Sequence, residues 1–375
     1  MKTDMTPPFG LPRMKHPCHV AVIGGGINGV MTAWALRYAG CAVDLFERGK
    51  LMGETSSAST KLLHGGLRYL ENGEFRLVRE ALRERAWWIA QAPHLAHPLH
   101  LILPVYGWSR RSRVTLGIGL GLYGLLARGH ALGPSRWHSR EALLRLRPEL
   151  CPDDLRGGFS FFDGQMDDHA LGLWAAQQAI AAGVHVHEDT FVERITLEGG
   201  VVTLNGLQAF DRVVNVAGPW ATRLLAISGI PCHHTLDLVR GSHVVLNRAC
   251  PIGILAEIRD ERRVAFILPW KGQTLIGTTE VRQDLGEVPA CSAVERDYLL
   301  TFYNRMMRTP ALPTDISDTF AGMRPLLRSA ADPGRATREY AIEEQDKVSS
   351  VFGGKWTTAR ALAEQVATRV VATQR

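Results

Sequence analysis

The 375-residue chain has no CxxC pair, no close His/Cys cluster and no apolar run long enough to cross a bilayer. Its six cysteines, Cys18, Cys41, Cys151, Cys232, Cys250 and Cys291, read as buried thiols of a reducing compartment. Their spacing argues against a structural zinc or iron–sulfur site, so no metal is expected. The best membrane candidate, Val114 to Ala127, is uncharged for only 14 residues, whereas a spanning helix needs about 20. Two readings of it stay open: a packed helix, or a peripheral membrane contact flanked by Arg110, Arg111, Arg113 and Arg128. Lysine is scarce too, since the formal charge of +6 rests on 36 arginines and seven lysines. That surplus favours an anionic partner such as a phosphorylated metabolite or an acidic membrane surface. The arginines are scattered rather than clustered, which argues against nucleic acid. Residues 1–16 carry charges and prolines without an apolar core, and read as a flexible lead-in rather than a secretory signal.

What is present is ordinary globular composition, 46% apolar and 21% charged, in a chain longer than one typical domain. His19 to Ile23 (HVAVI) reads as a strand, residues 24–29 as a turn, and the stretch to about Ala39 as a helix stopped by Gly40. Cys41 to Phe46 follows as a second strand ending at Glu47, giving βαβ order. Helical spacing is also found in Phe75 to Ala92, His169 to Ala182, Ala293 to Met307 and after Trp356. Val184 to Glu188 reads as a strand, and Val201–Leu204 with Gln208–Val216 as a hairpin. Residues 243–247, 262–270 and 273–280 are strand-like runs without a crossover helix, which predicts an antiparallel sheet distinct from the βαβ unit.

Gly24, Gly26 and Gly29 form a G-x-G-x-x-G turn, with Ile27 and Asn28 inside it, between strand and helix. Such a turn lets a backbone approach a pyrophosphate at a helix N-terminus. Glu47, followed by Arg48, stands where a carboxylate accepts ribose hydroxyls and disfavours a 2′-phosphate. The hydroxyl cluster at residues 55–60, with Thr55, Ser56 and Ser57, suits the far side of a longer cofactor. A second loop holds Ala217, Gly218 and Trp220. A third holds Gly353, Gly354, Lys355, Trp356 and Thr357 before the last helix. One site drawing on both ends of the chain fits FAD better than NAD, because a flavin needs polar tuning at its ring edge.

The segments IGGGINGV (23–30), TSSASTKLLHGGLRYLENGEFRLVREAL (55–82), APHL (92–95), VNVAGPW (214–220), VRGSHVV (239–245), FILPW (266–270), IGTTE (276–280), AGMRPLL (321–327) and SVFGGKWTT (350–358) resemble the FAD-dependent glycerol-3-phosphate dehydrogenases. These lie within the broader glycine/D-amino-acid-oxidase-like flavoproteins. The resemblance covers nearly the whole chain in order, and the motif at 56–70 is specific to this branch. It implies a mixed α/β and α+β fold: a Rossmann-like FAD-binding domain of separated segments (17–95, 150–225 and 335–375) with an inserted antiparallel-sheet substrate domain and cap elements (96–149 and 226–334). It adds Lys61, Leu62, His64, Gly65 and Gly322 to the residues expected around noncovalent FAD. Two departures stand out. The helical C-terminal domain of longer bacterial members has no counterpart here, and Trp356 replaces a smaller aliphatic residue. Oligomeric state, a partner subunit and membrane attachment are thereby left open.

The resemblance implies oxidation of sn-glycerol 3-phosphate to dihydroxyacetone phosphate, by hydride transfer from C2 to flavin N5, with a quinone as acceptor. Arg68, Tyr69, Arg324, Arg338 and Lys355 would line the phosphate pocket, where arginine forks and a lysine point charge suit a dianion. His243, in GSHVV, is the expected proton acceptor, because an imidazole titrates near neutrality; the alternative is a histidine satisfied at a strand edge. Arg324 or Lys355 would favour the developing alkoxide. A cytoplasmic protein, or one peripheral on the cytoplasmic membrane face, is expected. Competing readings are a flavoenzyme for another small anionic hydroxy or amino compound, oxygen as acceptor, and a non-catalytic flavin subunit of an assembly.

Overall fold

The computed structural model describes residues 8–14, 16–328 and 340–372 and is built on two sheets. The first has six strands in the order Tyr340–Gln345, Val348–Gly353, Arg212–Asn215, His19–Ile23, Ala42–Phe46 and Val184–His187. All neighbours are parallel except the Tyr340–Gln345 pair with Val348–Gly353. Its central strands are nearly continuous apolar runs because both faces are covered. Helices Ile27–Tyr38, Asp168–Ala181 and Ala359–Ala372 pack on one face through Met31, Leu36, Leu171, Ala175, Leu362 and Val366. On the other face Ala21, Phe46, Val213 and Phe352 meet Val192, Ile195 and Val201 of a small three-stranded sheet and Leu224 and Leu225 of helix Ala221–Ile227. Helix Ile27–Tyr38 holds no run of β-branched residues, and it ends where Gly40 turns to φ +104°, a conformation that costs glycine little.

The second sheet has ten strands. Towards one end of it, Leu236–Leu246 pairs antiparallel with Gln273–Gly277 and with Ile316–Leu327. Val264–Trp270 pairs antiparallel with both Gln273–Gly277 and Gly253–Glu257, so the expected antiparallel arrangement of this region is present, and Gly253–Glu257 then runs parallel to Ala96–Tyr106. Helix Ala293–Met306 covers one face through Leu299, Phe302 and Met306. A capping box between Ser292 and Glu295 starts that helix, satisfying two of its orphan amides.

Three expectations change. The strands Ala96–Tyr106 and Leu155–Met166 pair along their length, and Leu62–Leu63 joins their edge. Residues 62–63 and 155–166 therefore belong to the antiparallel sheet, although the sequence reading groups them with the nucleotide-binding segments. In the hairpin, Gly200–Thr203 pairs with Gly206–Ala209, while Arg212–Asn215 leaves it to run parallel to His19–Ile23. Of the six free cysteines, Cys18, Cys41 and Cys250 are buried, whereas Cys232 is exposed.

The apolar stretch at 114–127 is helix Arg113–Leu126. One stripe is buried, Leu116 and Leu120 against the second sheet and Tyr123 against Val78 and Leu82 of helix Phe75–Gln91. The other side leaves Val114, Ile118 and Leu125 at 70%, 68% and 62% exposure. Among the described residues no helix is long and apolar enough to cross a membrane. Beneath this helix the Tyr123 hydroxyl and Arg85 guanidinium both meet Asp163, at 3.0 and 2.8 Å. Arg85 and Asp163 are almost fully buried, so each charge depends on the other for its solvation.

Candidate active site

A cavity of about 630 Å³ lies between the two sheets, lined by residues of both. The glycine turn forms part of its wall. A Cβ on Gly29 would stand 1.8 Å from the Gly24 carbonyl oxygen, so helix and turn can approach only with glycine at 29. Gly26 precedes the helix with no side-chain cap, and the first helical amide, of Ile27, donates to Ser56 Oγ at 2.9 Å. Glu47 is held rigidly: its carboxylate accepts from the Gly25 and Gly49 amides at 2.6 and 2.9 Å. Asn28, also on the wall, has a buried Oδ1 without a hydrogen-bond partner. These features fit an adenine dinucleotide, with amides for phosphate, a fixed carboxylate for ribose and an unused acceptor.

The loop after Glu47 bridges the sheets. Arg48 stacks over Trp220 at 3.7 Å and pairs with Glu54. Thr55 Oγ1 donates to the Met323 carbonyl at 2.7 Å, and Trp356 Nε1 donates to the Ser56 carbonyl at 3.0 Å. Trp356 also packs 5.0 Å from Trp88 of helix Phe75–Gln91, so its large ring joins the third loop both to this one and to that helix. Lys355 lies 4.0 Å over the Tyr69 ring.

On the antiparallel sheet His243 faces Gly277 and Phe320 in neighbouring strands. A Cβ on Gly277 would lie 2.1 Å from the His243 ring, and Phe320 stacks on it at 4.7 Å. Nε2 meets Thr60 Oγ1 at 3.0 Å. Burial, with Arg324 and Lys61 nearby, pushes the imidazole down to about 3, so it is neutral at physiological pH. Arg324 donates to the Thr279 carbonyl at 2.9 Å and lies 3.6 Å from Glu280. Glu280 also pairs with Arg263, which donates to the Thr278 carbonyl. Nearby, Glu295 accepts from both Ser242 and Thr279 hydroxyls, locking segment 278–280 to the His243 strand. Its own carboxyl stays low, about 2, because these hydrogen bonds outweigh its burial.

The cavity brings together Gly24, Gly26, Ile27, Asn28, Gly29, Glu47, Arg48, Thr55, Ser56, Leu62, His64 and Tyr69 from the first part of the chain. From later segments it gathers Ala217, Gly218, Trp220, His243, Gly322, Arg324 and residues 353–357. Ser57, Lys61 and Gly65 do not line it. Lys61 is buried against Asp168 at 2.6 Å, Gly65 donates its amide to Tyr123, and Ser57 bonds the Glu54 carbonyl. Arg68 falls in the turn Leu67–Asn72, its side chain outside the description, and Arg338 lies outside the described residues. The sequence assigns no role to Gly241, Phe266, Thr278 or residues 190–192, and places Thr60 only within the hydroxyl cluster expected around the cofactor; all are on the wall. Phe266 and Thr278 sit inside FILPW and IGTTE. Residues 190–192 carry no local signal, and reach the site because Thr190 donates its amide to the Glu47 carbonyl.

Residues 19–369 match the family described as FAD dependent oxidoreductase (DAO), and the chain belongs to it. It is 36% identical over 385 residues to a glycerol-3-phosphate dehydrogenase of Synechocystis sp., covering 93% of this chain and 69% of that protein. A glycerol-3-phosphate dehydrogenase of Pseudomonas aeruginosa is 37% identical, with 94% and 71% covered. The fold is similar to that of glycerol-3-phosphate dehydrogenase from Bacillus halodurans complexed with FAD, at TM-score 0.75 and 25% identity, over 96% of this chain and 66% of that one. The protein is thus an FAD-dependent oxidoreductase, and the residues on the wall of this cavity fit FAD. Gly29→Ala is expected to abolish FAD binding, read as loss of visible flavin absorbance in the purified protein. A folded variant with stoichiometric FAD would contradict the cradle described.

Proposed function

We propose that this chain oxidises sn-glycerol 3-phosphate to dihydroxyacetone phosphate, with a quinone as electron acceptor. The observation that carries the reading is the grouping of His243, Arg324 and Lys355 on the wall of the cavity that holds the FAD cradle. The names of the relatives point to the same substrate. Bound FAD supplies the hydride acceptor, at flavin N5. Arg324, oriented by Glu280 and the Thr279 carbonyl, offers a guanidinium edge to the phosphate, and Lys355 adds a point charge. Arg68 and Arg338 are proposed to complete this pocket. The neutral His243 imidazole accepts the C2 hydroxyl proton as the carbonyl forms. Its low proton affinity reflects burial beside cations. A phosphate dianion next to Arg324 offsets part of that positive field and raises the affinity of the base during turnover.

A second proposal concerns access to the quinone. The exposed apolar side of helix Arg113–Leu126, with Val114, Ile118 and Leu125, is assigned as a peripheral contact with an anionic membrane. Arg110 and Arg128 flank it. Arg111 is engaged by Glu71 and Glu257 and contributes less.

Arg324→Ala is expected to weaken turnover of the phosphorylated substrate roughly 10–150-fold, the loss of one charge-assisted bond worth about 1.5–3 kcal/mol. Its FAD content should stay unchanged. His243→Asn is expected to slow anaerobic flavin reduction by about 10²–10⁴-fold with little loss of binding. Full activity in both variants would refute the assignment. Salt-sensitive flotation with anionic liposomes is expected for the wild type and lost in an Ile118→Asp, Leu125→Asp variant. Equal flotation of the two would remove the membrane contact.

A further inference from the structure

His243 is buried at 2% exposure, and its Nδ1 is enclosed without a hydrogen-bond partner. Its other nitrogen, Nε2, meets Thr60 Oγ1 at 3.0 Å. Thr60 itself lines the cavity and is only half-buried. A proton leaving a ligand in the cavity therefore meets the threonine hydroxyl on its way to the nitrogen that hydroxyl holds. We propose that Thr60 is a catalytic residue that relays the substrate hydroxyl proton to His243, an inference that rests on the oxidation proposed above.

The step balances without a further reagent. The substrate hydroxyl gives its proton to Thr60 Oγ1 while Thr60 passes its own proton to His243 Nε2. Threonine emerges neutral and His243 cationic, as hydride leaves the substrate carbon. The relay requires Nε2 to present a lone pair beforehand, and so requires the resting proton of His243 to sit on Nδ1. A hydroxyl suits this role because it donates and accepts through one oxygen.

The surrounding chain holds Thr60 in place from both sides. Ser59 gives its amide and hydroxyl to Asp168 Oδ2 at 2.9 and 2.7 Å. Lys61 gives its ammonium to Asp168 Oδ1 at 2.6 Å and to the Ser57 carbonyl at 2.7 Å. Lys61 also adopts φ +61°, a left-handed conformation that a non-glycine residue keeps only where its surroundings enforce it. Phe320 stacks on the opposite partner, the imidazole. Relay and acceptor are thus fixed before any ligand enters, the condition under which a small displacement becomes costly.

The test compares wild type, Thr60→Val, Thr60→Ser and His243→Asn as FAD-loaded proteins, reduced anaerobically by sn-glycerol 3-phosphate. Thr60→Val, which keeps the shape and deletes the hydroxyl, is expected to slow the first-order reduction about 10²-fold or more. The substrate dissociation constant should change little, and Thr60→Ser should recover most of the rate. A wild-type rate in Thr60→Val alongside a slow His243→Asn would overturn the relay and leave the substrate assignment standing. Nitrogen-15 NMR of histidine-labelled holoprotein, with His243→Asn for assignment, supplies a readout that needs no substrate. The wild type should show His243 as the Nδ1–H tautomer, and Thr60→Val should shift that population. An Nε2–H tautomer in the wild type would overturn the relay. If sn-glycerol 3-phosphate fails to reduce the wild-type flavin, the substrate assignment falls and the tautomer decides the relay by itself.

Discussion

Asp168, fully buried at the start of a helix on the parallel sheet, accepts hydrogen bonds from the Ser59 amide, the Ser59 hydroxyl and the Lys61 ammonium. The site depends on this carboxylate. It anchors the loop that runs from the glycine turn, where Ser56 takes the Ile27 amide, to the antiparallel sheet, where Thr60 takes His243. A buried carboxylate is stable only while its partners are complete, so loop, helix and lysine hold one arrangement together. The two sheets then present their chemistry at a fixed separation: amides and a carboxylate from the parallel sheet, an imidazole and a guanidinium from the antiparallel one.

That architecture explains why the proposed base is also a poor base in isolation. His243 lies where burial and two cations disfavour its charged form. Of the two, Arg324 lines the cavity, where the proposed anionic substrate needs a cation. Binding and proton acceptance are therefore linked: the dianion that satisfies Arg324 also relieves the imidazole of positive potential. On the proposed substrate, an uncharged analogue would forfeit both effects, which gives the site selectivity beyond a simple ion pair. Glu280, shared between Arg324 and Arg263, keeps the guanidinium oriented.

Much of this was legible in the residues because its causes are local. The strand, glycine turn, helix and acid at 19–47 sit within one βαβ unit, and the helices at 75–91 and 168–181 follow from apolar spacing. What stayed hidden depends on pairing between distant segments. Nothing near Leu155 announces that its strand joins Ala96–Tyr106 rather than the parallel sheet. Residues 190–192 reach the cavity only because Val184–His187 pairs beside Ala42–Phe46. Lys61 reads as a site cation from its motif, yet it is consumed by Asp168. The arginine-flanked apolar stretch divides by helix geometry, one stripe into the core as the packed-helix reading expects and one to solvent.

In the proposed reaction, hydride leaves C2 of sn-glycerol 3-phosphate inside this cavity. Single-turnover anaerobic reduction of the bound flavin, followed by its visible absorbance, tests it when the substrate is deuterated at C2, at C1 or at C3. Slower bleaching is expected with the C2 label alone, and bleaching at the unlabelled rate with the other two. Bleaching that is insensitive to C2 deuteration but slowed by a C1 or C3 label, or no bleaching by any of them, would contradict it.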